Sequence, residues 1–265
     1  MQDSSVHIRV EGLTMAYGDF VIQHDLTFDI RRGDTFVIMG GSGCGKSTLL
    51  RHLIGLKEPA SGKVFLNGED LWEVSAERQG EILRNCGVMY QNGALWSSMT
   101  LAENVALPLE EYTKLSKREI QELCSLKLAL VGLNGFEEYF PSEISGGMRK
   151  RAALARAMAL DPEILFVDEP SAGLDPISSR NLDELLIHLR ESLRTTIVVV
   201  THELPSIFAI ATNSVFLDAD SRTMLATGDP RELLHSTECA PLVEFLTRKH
   251  SLNPDTEGLN ERRPQ

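Results

Sequence analysis

Three short stretches of this 265-residue chain carry residue types whose spacing suits phosphate chemistry. The first is Gly40-Gly41-Ser42-Gly43-Cys44-Gly45-Lys46-Ser47, which fits the pattern G-x-x-x-x-G-K-S between an apolar strand pattern and a helical one. Its glycines let the backbone curl so that successive N–H groups face a phosphate. Lys46 is then expected to reach the β- and γ-phosphates, the Ser47 hydroxyl to ligate Mg2+, and Thr48 to bond the α-phosphate. The second stretch, Ser145-Gly146-Gly147, stands just before an alanine-rich helical pattern. It offers bare N–H groups at a helix N-terminus, where an anion is favoured. The third, Asp168-Glu169, ends the apolar run Ile164–Val167. Both carboxylates therefore emerge at the C-terminal edge of a strand, where open α/β sheets bind their ligands. Asp168 is placed to hold Mg2+ through water. Glu169 is the natural general base for an attacking water, a role worth roughly 10²–10⁴-fold in rate. Two phosphate grips and one acidic strand end predict a nucleotide held between two copies of the chain.

Three further residues carry a weaker signal, and each leaves two readings open. His202 follows the buried-strand pattern Thr196–Thr201 and either contacts a γ-phosphate or is structural. Gln91 follows Gly87–Tyr90 and either lends its amide oxygen to the Mg2+ shell or simply packs. Tyr17 precedes Gly18 and either stacks on adenine, worth about 0.5–1.5 kcal/mol beyond burial, or belongs to ordinary strand packing.

The elements that must position these groups alternate. Short strand patterns cover His7–Val10, Phe20–Ile22, Leu26–Ile30 and Thr35–Met39, and a helix with Leu49, Leu50, Leu53 and Ile54 at helical spacing starts near Lys46. Lys63–Leu66 and Gly87–Tyr90 are further strands. From about Ser98 the strand signal fades, and Leu101–Leu109 and Lys117–Val131 read as helices punctuated by Pro108 and Pro141. Core strands return at Ile164–Val167, Thr196–Val200, Ser214–Leu217 and Met224–Thr227, with helices at Ser178–Leu193 and Leu204–Ala211. Strands alternating with helices predict an α/β fold with a largely parallel sheet. Ala240–His250 reads as a short helix with Leu242, Val243, Phe245 and Leu246 on one side, docked on its own domain or on a partner. Residues 251–265 read as a loose polar tail.

Bulk properties narrow the partners. The net charge of −12, from 26 basic and 38 acidic side chains, argues against nucleic acid and against direct docking on anionic lipid. Arg149-Lys150-Arg151 is a candidate local basic patch or else a solvated helix face. Cys44, Cys86, Cys124 and Cys239 show no paired spacing, which points to a reducing, cytoplasmic setting. No signal-peptide pattern opens the sequence, and no apolar run approaches the ~18 residues of a membrane span, so a membrane role is expected to come through a partner.

Taken in order, Tyr17, the loop at Gly40–Ser47, Gln91, Ser145-Gly146-Gly147, Asp168-Glu169, Ala172-Gly173-Leu174-Asp175 and His202 resemble an ATP-binding cassette (ABC) ATPase up to about residue 235. The resemblance implies an ABC domain over residues 6–235. It would have an N-terminal antiparallel β-subdomain and an α-helical subdomain inserted at about 98–160, followed by a C-terminal helical extension over 236–250. It also implies a head-to-tail homodimer. In that dimer ATP lies between one copy's loop and the other's Ser145, Gly146 and Gly147, with Asp175 at the seam. Two departures stand out. Met148 occupies a signature position where glutamine is common, which puts a side-chain contact to the nucleotide in doubt, and Gly41 stands where proline is common. Ser145–Arg151, Tyr90–Trp96 and Thr201–Leu204 further resemble the ATPases of Mla-type, MCE-associated lipid transporters, which move phospholipid between the membranes of a Gram-negative envelope. That likeness implies integral membrane permease subunits, an MCE lipid-shuttle protein and a small STAS-domain subunit as partners, on the cytoplasmic side of the inner membrane. The strip Gln91–Thr100, with Leu95 and Trp96, would then meet the permease, unless Trp96 belongs to the internal core. The alternatives are a soluble non-transport ABC ATPase, an importer ATPase for another substrate, and a small-molecule phosphotransferase.

Overall fold

In the computed structural model, residues 5–235 and 239–247 are described. The predicted tail at 251–265 and the end of the predicted C-terminal helix lie outside them. Two long strands, β1 (Val6–Tyr17) and β2 (Phe20–Arg31), form an antiparallel hairpin, and β4 (Ser61–Leu66) and β5 (Glu69–Asp70) extend it into a four-stranded sheet of order β2-β1-β4-β5. The sequence pattern broke β1 and β2 into shorter pieces. Register shifts at Val10/Leu13 and Leu13/Met15 interrupt the two-residue alternation there, so periodicity alone under-reads the strands.

A second sheet has six strands in the order β10-β9-β3-β8-β7-β6. They are β3 (Thr35–Gly40), β6 (Cys86–Met89), β7 (Ile164–Asp168), β8 (Thr196–Val200), β9 (Asn213–Leu217) and β10 (Met224–Gly228). All pairings are parallel except β9–β10. Apart from the edge strands β6 and β10, its strands are buried on both faces, and the pleat divides them between two cores. Phe36, Ile38, Phe166, Val198 and Val200 pack with α1 (Lys46–Leu53) and the antiparallel sheet. Val37, Met39, Leu165, Val167, Ile197 and Val199 pack with the helices on the other face.

Those helices include α3 (Leu101–Tyr112), α4 (Lys117–Leu130), α5 (Gly146–Ala157), α6 (Pro176–Leu193) and α7 (Leu204–Ile210). Capping boxes at Thr100/Glu103 and Ser116/Glu119 fix the starts of α3 and α4. Pro108 lies inside α3, which runs three residues past the Leu109 end that the sequence predicts. Pro108 has no N–H to donate to the Asn104 carbonyl, but the buried face of Leu101, Val105 and Leu109 carries the helix through. The helix α2 (Ala76–Arg84) was not foreseen, because Ile82 is its one buried residue and periodicity is silent there. The short α8 (Pro230–Leu233) leads toward α9 (Ala240–Thr247). In α9, Leu242 and Leu246 are buried in the second core, and the Phe245 ring lies 5.3 Å from that of Phe216. This apolar side therefore docks on its own domain.

Candidate nucleotide site

The glycine-rich loop leaves the C-terminal end of β3 and enters α1. Gly45 adopts φ 99°, and a Cβ there would stand 2.7 Å from Ile22 Cγ2, so both conformation and space require glycine. Gly40 passes so near β9 that a Cβ would meet the Leu217 carbonyl oxygen at 2.3 Å. Gln23 of β2, fully buried, donates from Nε2 to the carbonyls of Cys44 and Asp218, each at 2.8 Å. The loop backbone is thus tied to the antiparallel sheet and to the end of β9. Lys46 Nζ donates to the carbonyls of Gly40 (3.0 Å) and Gly41 (2.9 Å), so the ammonium is held inside the curl of the loop. Ser42 and Gly43 are exposed at its crest, Ser47 is exposed, and Thr48 is half-buried on the first turn of α1.

The acidic strand end faces this loop. Ser47 Oγ lies 3.4 Å from Asp168 Oδ1. Burial, and then the neighbouring Glu169 charge, push the Asp168 carboxyl above its ordinary pKa, while the Ser47 hydroxyl draws it back. Glu169 is 8% exposed and holds a left-handed backbone with φ 46°, an unusual geometry for a side-chain-bearing residue. Its N–H bonds the Val200 carbonyl at 2.8 Å, and its Oε1 is 2.8 Å from His202 Nδ1. Its Oε2 is buried without a partner. The strand-end glutamate and the histidine one strand over, singled out separately in the sequence, are thus in contact.

Tyr17 ends β1 half-exposed beside α1, so it is not part of the core. Arg51 of α1 donates to its hydroxyl at 3.3 Å and lowers its pKa, and the Lys57 ammonium lies over its ring. Ser145 caps α5, its Oγ accepting from Met148 N at 3.2 Å. Gly146 and Gly147 face Leu174 and Ser178. Asp175 caps α6, accepting from Ile177 N (3.1 Å) and Ser178 N (3.0 Å), which keeps its pKa low. The resemblance places Asp175 at a seam between copies; the cap it forms within its own chain is a further role. Trp96 is 61% exposed, which removes the internal-core reading.

With this geometry in view, the comparisons with known proteins decide the family. The profile of the ABC transporter family matches residues 23–172, more than half of the chain. The chain belongs to the ABC transporter family. It is 43% identical over 241 residues to a protein of Mycobacterium leprae named a probable ribonucleotide transport ATP-binding protein, covering 91% of this chain and 69% of that one. The counterpart in Mycobacterium tuberculosis is also 43% identical, and the match spans 66% of its length. The chain is 38% identical to the MlaF intermembrane phospholipid transport ATP-binding protein of Haemophilus influenzae, over 90% of this chain and 89% of that protein. Among solved structures, a dimeric ATP-binding cassette in a post-hydrolysis state with ADP and phosphate superposes with a TM-score of 0.76 at 28% identity, covering 84% of this chain and 98% of that one. The cbiO1 subunit of a Clostridium perfringens ABC transporter complex gives a TM-score of 0.80 at 26% identity, covering 92% and 97%.

As an ABC transporter ATPase subunit, the chain shows several positioning groups that sequence reasoning missed. The triplet Arg149-Lys150-Arg151 forms neither a free basic patch nor a uniformly solvated face. Arg149 donates to the Ile144 carbonyl (2.8 Å), and Arg151 to those of Val131 (3.2 Å) and Gly132 (3.3 Å). Lys150 is 9% exposed and donates to the Gln91 carbonyl and, at 3.1 Å, to the Glu169 carbonyl. Arg156 donates to Gly93 and Ala94 carbonyls, each at 2.7 Å. Asn104, fully buried, accepts from Trp96 N (2.8 Å) and shares the two hydrogens of Nδ2 among the carbonyls of Trp96, Met99 and Thr100, which fixes the strip in front of α3. A buried asparagine amid apolar helix residues was the available signal. Among the described residues, no helix is long and apolar enough to cross a membrane, and all four cysteines are free.

Proposed function

We propose that this subunit binds MgATP through Gly40–Thr48, Asp168 and Gln91, and that two copies close on it head to tail. Hydrolysis then energises phospholipid transport through membrane permease subunits. The observation that carries the reading is the buried Glu169 carboxylate, with one oxygen on His202 and the other unpartnered, at a strand end beside Ser47 and Asp168. A carboxylate so placed has one oxygen oriented and one available to accept a proton from water. His202 orients Glu169 and contacts the γ-phosphate. Lys46 trades the Gly40 and Gly41 carbonyls for phosphate oxygens, and the loop N–H groups bear on charge that spreads in the transition state. Tyr17 stacks on adenine. Ser145, Gly146, Gly147 and Asp175 complete the site from the opposite copy, a reading supported by the dimeric cassette neighbour with ADP and phosphate.

The Ser47 hydroxyl, the Asp168 carboxylate and the Gln91 side-chain oxygen are hard donors suited to Mg2+. When bound, it neutralises charge on the β- and γ-phosphates.

The domain boundaries at 6–235, about 98–160 and 236–250 belong to the same reading. So do the cytoplasmic face of a bacterial inner membrane, the MCE lipid-shuttle protein and the small STAS-domain subunit. The likeness to MlaF over 90% of the chain supports phospholipid as cargo. A second reading, another transported substrate, has its support in the ribonucleotide-transport name of the mycobacterial relatives.

The mechanism is tested with Glu169→Gln. The variant is expected to bind ATP, dimerise, and turn over roughly 10²–10⁴-fold more slowly. Near-normal turnover removes Glu169 from its role, and a stalled variant with triphosphate enclosed by one copy alone overturns the sandwich. Mass spectrometry of the complex drawn from native membranes tests the cargo: permease with bound phospholipid supports the first reading, and a nucleotide-type cargo supports the second.

A further inference from the structure

Lys150 has no part in the chemistry described so far, yet its ammonium reaches the two backbones that matter most to it. A lysine is seldom buried without a dedicated partner, and here two carbonyls from separate segments receive it, Gln91 after β6 and Glu169 after β7. Burial draws its pKa down, and the charges of Glu169 and then Asp168 hold it up. Arg156, six residues along α5, grips Gly93 and Ala94, and a Cβ on Gly93 would lie 3.1 Å from that of Ala153 between them. Lys150, Ala153 and Arg156 share one face of α5, so residues 91–94 lie along that helix as a strap. A cleft of about 350 Å3, lined by Gln91, Gly146, Lys150 and Gly173 among others, adjoins this contact.

We propose that Lys150 is a positioning residue that joins the helix capped by Ser145 to the Gln91 strap and to the peptide of Glu169. It holds the glutamate in its left-handed conformation and sets its carboxylate on His202. The proposal rests on the reading of Glu169 as the base. Three contacts fix the backbone on the two sides of Glu169: Glu169 N to Val200 O on one, Ala172 N and Lys150 Nζ to Glu169 O on the other. Of these, the Lys150 bond comes from α5. Ser145 and Lys150 are five residues apart on one rigid helix, about 7.5 Å along its axis. A shift of the Ser145 end is therefore delivered to both carbonyls at once. A lysine keeps a charge and three donors for this task.

The test compares the full chain, in complex with its membrane partners, as wild type, Lys150→Met and Lys150→Arg. The methionine variant is expected to lose at least tenfold in kcat while the KM for ATP stays within about twofold. Amide hydrogen exchange over residues 91–100 should rise, and the arginine variant should recover part of both. Should the methionine variant fold poorly, Lys150→Gln, which keeps a neutral donor, provides the same two readouts. Wild-type kcat with wild-type exchange overturns the proposal. So does a loss in which kcat, KM and melting temperature change in step, since that is the mark of a merely structural lysine. The exchange experiment repeated in a Glu169→Gln background separates the two readings. Near-normal turnover of Glu169→Gln sinks the base, whereas unchanged exchange in the double variant sinks the strap.

Discussion

Asp183 offers a measurement that depends on one buried charge. It lies on α6, 5% exposed, with Oδ2 accepting from Ser206 Oγ of α7 at 2.8 Å and Oδ1 buried without a partner. Burial is the main cause that pushes its carboxyl up from 3.8 to about 6, Glu184 adds to the shift, and the Ser206 hydroxyl opposes it. The folded state thus holds this proton more tightly than the unfolded chain does. Stability from this group is greatest below about pH 4 and is lost as pH rises toward and past 6. Between pH 5 and pH 8 the loss amounts to about 1–2 kcal/mol, from ~1.4 kcal/mol per pKa unit over the part of the shift that this range samples. The side-chain amide of an Asp183→Asn variant cannot titrate, and every other group titrates alike in both proteins. The stability gap between variant and wild type should therefore move in favour of the variant by that amount from pH 5 to pH 8, whatever its absolute size. Urea unfolding of both proteins at the two pH values measures it. A gap that stays constant would refute the reasoning, because it would mean that Asp183 ionises in the fold as freely as in the unfolded chain.

Two further outcomes concern the strip before α3. Trp96→Ala should leave the melting temperature of the isolated chain within about 2 °C, since the side chain is exposed. Transport by the assembled complex should fall, and unchanged transport would remove Trp96 from the partner contact. Asn104→Ala takes the amide partner from Trp96 N and Met99 O, while Trp96 O keeps Met99 N and Thr100 O keeps the residue-104 N–H; it should cost about 2–4 kcal/mol in urea unfolding, with a shift in Trp96 fluorescence. A cost below about 1 kcal/mol would show that water replaces the amide there.

What could be seen in the sequence was local. The loop at Gly40–Ser47 and the acidic end of β7 announce themselves because a few residue types in fixed spacing, next to an unbroken apolar run, have little other use. The parallel strands are legible for the same reason: they are buried on both faces and need no alternation. Reading failed where tertiary contact reverses a local signal. Three adjacent cations look solvated until the Gln91 strap is laid over α5 and buries the middle one. Asp175 was read for the seam between copies, yet it also terminates the free N–H groups of Ile177 and Ser178. The predicted end of α3 at Leu109 falls three residues short, because the hydrogen bond lost at Pro108 is visible in sequence whereas the buried face that carries the helix on is not. The contact of His202 with Glu169 spans 33 positions and depends on β7 and β8 being neighbours in register, which periodicity does not reveal.

The acceptors met by α5 bear on how the protein responds to salt. Arg149, Lys150, Arg151 and Arg156 all donate to main-chain carbonyls. A carbonyl is a dipole with no net charge, so dissolved ions have little to neutralise at these joints. An exposed pair such as Arg118 with Glu122 fades as salt rises. The links that bind this helix to its surrounding loops are instead of a kind that loses little strength as ionic strength rises.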